Sequence, residues 1–85
     1  MKHVETNNAV EAAILELLKN RKVGASICPS EAARAVFEAD WREQMQHVRN
    51  VAKDLVEHGK LEICQKGETV NPSDFKGPIR LRLPE

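Results

Sequence analysis

The sequence predicts an α+β fold that is mostly helical, in which three helices pack on a small antiparallel sheet. Three stretches place apolar residues at helical spacing, and two later stretches alternate polar and apolar residues as half-buried strands do. Two strands alone are marginally stable in water, so their apolar face needs the helices as a covering layer. The 85 residues are enough for one domain, which we assign to residues 8–85 after a flexible N-terminus at residues 1–7.

The first helix is predicted to begin after Asn8, with Glu11 placed three residues later to complete a capping box. Gly24 can adopt the left-handed conformation that ends a helix. Between these positions, apolar residues recur every three or four residues and define one buried face. They are Val10, Ala13, Ile14, Leu17 and Leu18.

The second and third helices follow a short extended piece at residues 25–28. Pro29 suits the first position of a helix, where its missing N–H would have no partner, and this helix runs to about Phe37. Asp40 is predicted to cap a third helix that opens with Trp41 and ends at Gly59. Trp41 is expected to anchor the core, with base stacking as the alternative role.

Two strands are predicted at residues 60–65 and 79–83, where polar and apolar residues alternate. Residues 66–78 are rich in Gly, Pro and short polar residues, and are predicted to form a long hairpin loop between the strands. The elements therefore follow the order helix, short strand, helix, helix, strand, loop, strand. This order is that of the winged helix-turn-helix, in which a hairpin wing accompanies a helix-turn-helix.

Short sequence motifs near the element ends support this interpretation through a family resemblance. They are residues 27–31 (ICPSE), 40–42 (DWR), 48–49 (VR), 59–63 (GKLEI), 65–67 (QKG) and 77–81 (GPIRL). With these motifs the chain resembles, over nearly its whole length, an uncharacterised family of small bacterial winged-helix proteins known as a domain of unknown function. The resemblance implies the fold and no catalytic activity. More distantly, the chain is similar to winged-helix transcription regulators, which is an analogy of fold alone.

The third helix offers one polar face opposite its apolar stripe. The second helix of a helix-turn-helix lies in the major groove of DNA, where Arg binds guanine, Gln and Asn bind adenine, and Lys and Arg hold phosphates. We therefore expect this face to bind double-stranded DNA. The alternative is a solvated face with no ligand, such as any amphipathic surface helix has. The residues on the face are Arg42, Gln46, Arg49 and Lys53, and Asn50 and His47 flank them.

The predicted wing carries further cations. Lys66 and Lys76 bracket the hairpin loop, and Arg80 and Arg82 alternate outward on the last strand. We expect these side chains to contact phosphates beside the groove. The alternative for the two arginines is the polar face of an edge strand, where charge discourages association between sheets.

The overall charge leaves a second functional hypothesis open. The chain has 13 basic and 13 acidic residues and a formal net charge of zero, whereas DNA-binding domains are often strongly basic. A protein-interaction module with the same fold, working with a protein partner or as a homodimer, is therefore the alternative to DNA binding. No apolar run is long enough to cross a bilayer and none suits a signal peptide, so we expect a cytoplasmic protein without membrane contact.

No enzyme, metal or cofactor is expected from the reactive residues. The sequence contains no glycine-rich phosphate loop and no pattern typical of a catalytic triad, and its two cysteines, Cys28 and Cys64, have no ligand spacing with each other or with histidines. We expect both to be buried free thiols. If Ile27-Cys28 and Ile63-Cys64 paired in one sheet, the thiols would be near neighbours, and a redox switch would be the alternative.

Overall fold

The structure is a computed structural model that describes the backbone of residues 2–71 and 77–84, and the side chains of this region from Thr6 onward. Three α-helices and four short strands follow one another in this part of the chain. They are α1 (Lys2–Lys19), β1 (Ser26–Ile27), α2 (Pro29–Phe37), α3 (Met45–Glu57), β2 (Glu62–Gln65), β3 (Glu68–Thr69) and β4 (Arg80–Arg82), with a 3-10 helix at Glu38–Asp40.

The four strands form one antiparallel sheet in the order β1-β4-β2-β3. Leu81 in β4 lies between Ile27 in β1 and Ile63 in β2, so one row of the sheet is wholly apolar. These three residues are buried and face the helices. The α+β class, with three helices on a small antiparallel sheet, is confirmed, and the arrangement is winged-helix-like.

All three helices and the sheet contribute to a single core. Val10, Ile14 and Leu18 lie at helical spacing on α1, as predicted, and are at most 2% exposed. In α2 the inner face is made of alanines, whose small size lets this short helix approach its neighbours closely. The other buried apolar residues of the core are Ala32, Ala33, Val48, Val51, Ala52, Leu55, Leu61 and Ile79.

The predicted start of α1 is wrong, whereas the bounds of α2 are confirmed. Helix α1 begins at Lys2, so Asn8 lies within the helix and does not cap it. The flexibility expected of residues 1–7 stays a prediction. Helix α2 runs from Pro29 to Phe37 as expected, and the Glu31 carboxylate accepts a hydrogen bond from the Cys28 N–H at 2.9 Å.

Helix α3 begins at Met45 and not at Trp41, which corrects the sequence prediction. Between α2 and α3 the chain turns through hydrogen bonds of the 3-10 type, such as that from the Gln44 N–H to the Trp41 carbonyl at 3.1 Å. Trp41 nevertheless lies four residues before Met45, close to one α-helical turn, and both side chains pack against the core. The apolar stripe therefore continues from the turn into the α-helix, and periodicity alone places the start too early.

The segment predicted as one long loop contains an additional strand, which is a second correction. Lys66 and Gly67 both have positive φ, at 52° and 83°, as in the two-residue turns that connect hairpin strands. The chain then pairs back on β2 as β3. Strand β4 pairs with β1 on one side and β2 on the other, so it is an interior strand and the edge-strand interpretation of its arginines is wrong.

Candidate nucleic-acid interface

Helix α3 packs one face on the core and leaves the opposite face in solvent. Val48, Val51, Ala52 and Leu55 are buried on the inner face. On the outer face, Gln46 and Asn50 are exposed one turn apart, and the Gln46 side-chain amide donates a hydrogen bond to Asn50 Oδ1 at 3.0 Å. The structure thus brings two of the predicted base-contacting residues together as one amide pair.

Arg49 and Lys53 flank this amide pair, and both are half-buried. The Nε atom of Arg49 is buried and has no hydrogen-bond partner among the described residues. The stem of this arginine therefore lies along the protein surface, as long basic side chains often do. Arg49 and Lys53 occupy one flank of the outer face, next to Gln46 and Asn50, as the sequence predicts.

Charge is unevenly distributed along α3. Residues 45–53 contain two basic residues and no acidic residue, whereas Asp54 and Glu57 lie in the last turns. The half that contains Gln46, Arg49 and Asn50 is therefore free of carboxylates from its own helix. In a helix-turn-helix, the N-terminal half of this helix contacts base edges.

Arg42 does not lie on this face, because it precedes α3. Its guanidinium carbon lies 5.0 Å from the centroid of the Trp41 ring, and that of Arg34, from α2, lies 4.4 Å from the same centroid. Trp41 is half-buried and packs against the core, so the anchoring role is confirmed. Sequence reasoning missed Arg34, whose only signal is its place one turn before the end of α2.

The two arginines of β4 have partners within the sheet. Arg80 donates to the Oγ and the carbonyl of Ser26 in β1, at 2.8 and 2.9 Å. Arg82 forms an ion pair with Glu62 at 3.0 Å and donates to Thr69 Oγ1 at 2.7 Å. These contacts tie β4 to β1, β2 and β3, and the role of both side chains as phosphate ligands stays a prediction.

The remaining wing residues differ in what the structure describes. Lys66 is exposed at the turn between β2 and β3. Lys76, the other predicted loop cation, lies outside the described residues. Of the wing cations, Lys66 therefore remains as a solvent-exposed candidate.

One carboxylate has a perturbed pKa. Burial would raise the pKa of Glu31, but the Cys28 N–H and the Arg21 guanidinium donate hydrogen bonds to it, and the charges of Arg21 and Arg80 add to their effect. The pKa of Glu31 is therefore lowered below its ordinary value. This arrangement stabilises the start of α2 and is not part of the α3 face.

The cysteines do not meet across the sheet. Cys64 is directly opposite Arg80 of β4, and β1, which leads into Cys28, pairs with the other side of β4. Two inter-strand spacings, or about 9.5 Å, separate β1 from β2. A disulfide needs Cα atoms within about 7 Å, so the pairing that would make the thiols neighbours is absent. Both cysteines are free thiols, as expected, but only Cys64 is buried, whereas Cys28 is half-buried.

The described residues contain no group of three or more His, Cys, Asp or Glu side chains that could hold a metal ion. Nor, over the same residues, is any helix both long and apolar enough to cross a membrane.

Comparison with protein families shows that a family model described as "Protein of unknown function (DUF3253)" matches residues 7–84. Among curated proteins, none matches the chain.

Proposed function

We propose that the chain, which belongs to the family described as "Protein of unknown function (DUF3253)", binds double-stranded DNA through the outer face of α3. The observation that supports this proposal best is the exposed amide pair of Gln46 and Asn50, flanked by Arg49 and Lys53 on a half-helix without carboxylates. A winged-helix domain that binds DNA in this way would act as a transcription regulator.

Each residue type on the face suits one part of this task. The amides of Gln46 and Asn50 can each form two hydrogen bonds with an adenine edge in the major groove. Their mutual hydrogen bond holds both side chains over the outer face before DNA arrives. Arg49 and Lys53 supply positive charge at the border of the face, where phosphates lie when a helix occupies the groove.

The wing has a smaller role in this proposal than the sequence suggests. Arg80 and Arg82 hydrogen-bond across the sheet and stiffen the base of the β2–β3 hairpin. Lys66 at the hairpin turn is then the wing residue that contacts the DNA backbone. The chain would thus rely on few phosphate contacts, which agrees with its zero net charge.

The test is fluorescence anisotropy of labelled random-sequence duplex DNA at about 50 and 200 mM salt, a range over which phosphate contacts strongly weaken binding. We expect micromolar binding that weakens with salt. Lys53→Ala should weaken binding on all sequences and reduce the salt slope by about 1. Lys60→Ala removes an equally charged, exposed residue after α3 and should leave binding unchanged.

Gln46→Ala and Asn50→Ala test the base-contacting part of the proposal. Once a preferred sequence is selected from a random pool, each substitution should cost about 1–3 kcal/mol on that sequence, because a good amide–adenine contact discriminates by this amount. Absence of binding at about 100 μM and low salt would contradict the proposal, since non-specific DNA binders reach this range.

A protein-interaction module is the second candidate. Asp54 and Glu57 on the C-terminal half of α3, together with the zero net charge, favour it. In that case α3 would contact a protein, and the anisotropy titrations would show no DNA binding. If the unmodified chain does not bind DNA and Gln46→Ala leaves the fold intact by circular dichroism, the outer face is needed neither for DNA nor for folding, which would support this second candidate.

A further inference from the structure

The connection between α1 and β1 forms a second surface, remote in sequence from α3. Residues 18–19 and 21–25, together with Leu83 and Pro84 after β4, border a groove of about 300 Å³, which we call the α1–β1 groove. Arg82, the residue before Leu83, pairs with Glu62 at the start of β2. The turn that contains Lys66 instead follows the last residue of β2. The groove thus lies at the end of β2 opposite to the proposed wing contact.

The α1–β1 groove holds the two large apolar side chains that are most exposed among the described residues. Val23 is 105% exposed and Leu83 is 41% exposed. Gly24 has a φ of 85°, and the Ala25 N–H bonds to the Lys22 carbonyl at 3.0 Å. This tight turn presents the Val23 side chain to solvent. An apolar side chain in this position is available to a partner without any rearrangement of the core.

The rim of the α1–β1 groove is basic. Lys19 and Lys22 are exposed, and within the described part of the chain neither forms an ion pair. Arg21, between them, pairs with Glu31. The groove therefore combines exposed apolar side chains with two positive charges at its edge that form no ion pair among the described residues.

We propose that the α1–β1 groove binds an acidic segment of another protein, which places one apolar side chain against Val23 and Leu83. Charge complementarity selects this occupant: the rim residues Lys19 and Lys22 attract carboxylates and repel basic segments. A second copy of the chain on a two-fold axis would set the same lysines against each other. Nucleic acid would contact the lysines but not the exposed apolar side chains of Val23 and Leu83. This inference goes beyond DNA binding and holds whether or not α3 binds DNA.

The test is a titration of the ¹⁵N-labelled full chain with a short peptide in which Glu alternates with Leu, followed by amide chemical shifts. We expect shifts confined to residues 18–25 and 81–84, with a dissociation constant below about 1 mM. A peptide with Lys in place of Glu should bind at least about tenfold more weakly, because the rim charges then repel it. A peptide with Ser in place of Leu tests the contribution of the exposed apolar side chains, and it should also bind more weakly.

Two substitutions test whether the peptide binds at the α1–β1 groove. Val23→Ser should weaken peptide binding about tenfold, since a buried Val contributes on that scale, and it should leave the fold intact because Val23 makes no buried contact. Lys22→Glu should weaken binding about three- to tenfold. Lys60→Glu makes the same charge change at another exposed position and serves as the matched control, for which we expect no effect.

Four results would overturn the proposal. These are no shifts at 1 mM peptide, shifts centred on other residues, equal binding of the Lys peptide, or shifts at residues 18–25 that depend on protein concentration alone, which would indicate a second copy. DNA titrations of the Lys22→Glu variant separate this proposal from the previous one. A loss of DNA affinity there, without peptide binding to the unmodified chain, would assign the surface to nucleic acid.

Discussion

Glu31 shows how one residue can serve both a helix end and an ion pair. Its carboxylate accepts a hydrogen bond from the Cys28 N–H at the start of α2 and from Arg21, two residues after the end of α1. Both donors favour the ionised form, which lowers the pKa of Glu31 even though burial acts in the opposite direction. The residue thereby ties the ends of two helices together through charge.

The lowered pKa predicts a pH dependence of stability. Because the folded state holds the proton less tightly than the unfolded state, Glu31 stabilises the fold fully above its ordinary pKa of 4.5. This contribution is lost as the pH falls below 4.5 through the folded value. Glu31→Ala should cost about 0.5–2 kcal/mol at pH 7, in the range of a lost cap.

Urea unfolding of the unmodified chain and of Glu31→Ala at several pH values measures this effect. The difference in unfolding free energy between the two should shrink as the pH falls below 4.5. Glu16→Ala removes an exposed carboxylate on α1 and serves as a control that should change stability little at any pH. A difference that is constant with pH would contradict the role assigned to the Glu31 charge.

At the scale of elements, the β2–β3 hairpin depends on its two turn residues. Both Lys66 and Gly67 have positive φ, a conformation that is strained for side chains with a Cβ and relaxed for Gly and, to a lesser degree, Asn. The Lys-Gly pair therefore occupies a turn that an Asn-Gly pair would fit better. The sequence signal for this hairpin was weak because Lys is an unusual first residue.

Substitutions in the turn should act in opposite directions. Gly67→Ala should destabilise the chain by about 1 kcal/mol, because a Cβ is unfavourable at this φ, although it meets no atom within 4 Å. Lys66→Asn should stabilise it by a few tenths to about 1 kcal/mol. Thermal unfolding measures both. Equal effects of the two substitutions would contradict the turn conformation.

The link between α2 and α3 is the other element that determines the proposed interface. Its 3-10 turns delay the start of α3 to Met45 and leave Arg42 beside Trp41, away from the outer face. We therefore expect Arg42→Ala to affect DNA binding less than Lys53→Ala in the same anisotropy titration. A larger effect of Arg42→Ala would show that the DNA-contacting face extends into the turn.

The whole molecule depends on a thin core in which Leu81 is central. Leu81 is fully buried and lies between Ile27 and Ile63 in the middle of the sheet. A domain of this size buries a smaller fraction of its surface than a larger one, so its stability margin is small. The loss of a buried side chain at this central position therefore destabilises every element that packs on the core.

Leu81→Ala should cost about 2–5 kcal/mol, the range for truncating a buried Leu. This is comparable to the low end of total stability for small domains, so a substantial part of the protein should unfold at 37 °C. Leu83→Ala is the matched control two residues later, where the side chain is 41% exposed, and it should change stability by less than about 0.5 kcal/mol. Equal losses in circular dichroism melts would contradict the assigned core.

The amino-acid sequence by itself determined that three helices and the strands at β2 and β4 share one core, because apolar periodicity acts over a few residues, but it did not predict β3 and placed the starts of α1 and α3 wrongly. Helix α2 and the buried face of α1 match the prediction, and so does the outer face of α3 from Gln46 to Lys53. Only the tertiary structure decided how Arg80 and Arg82 are used and why Cys28 and Cys64 stay apart. Both depend on β4 lying between β1 and β2, and strand order is set by long-range packing, which leaves no local signal along the chain.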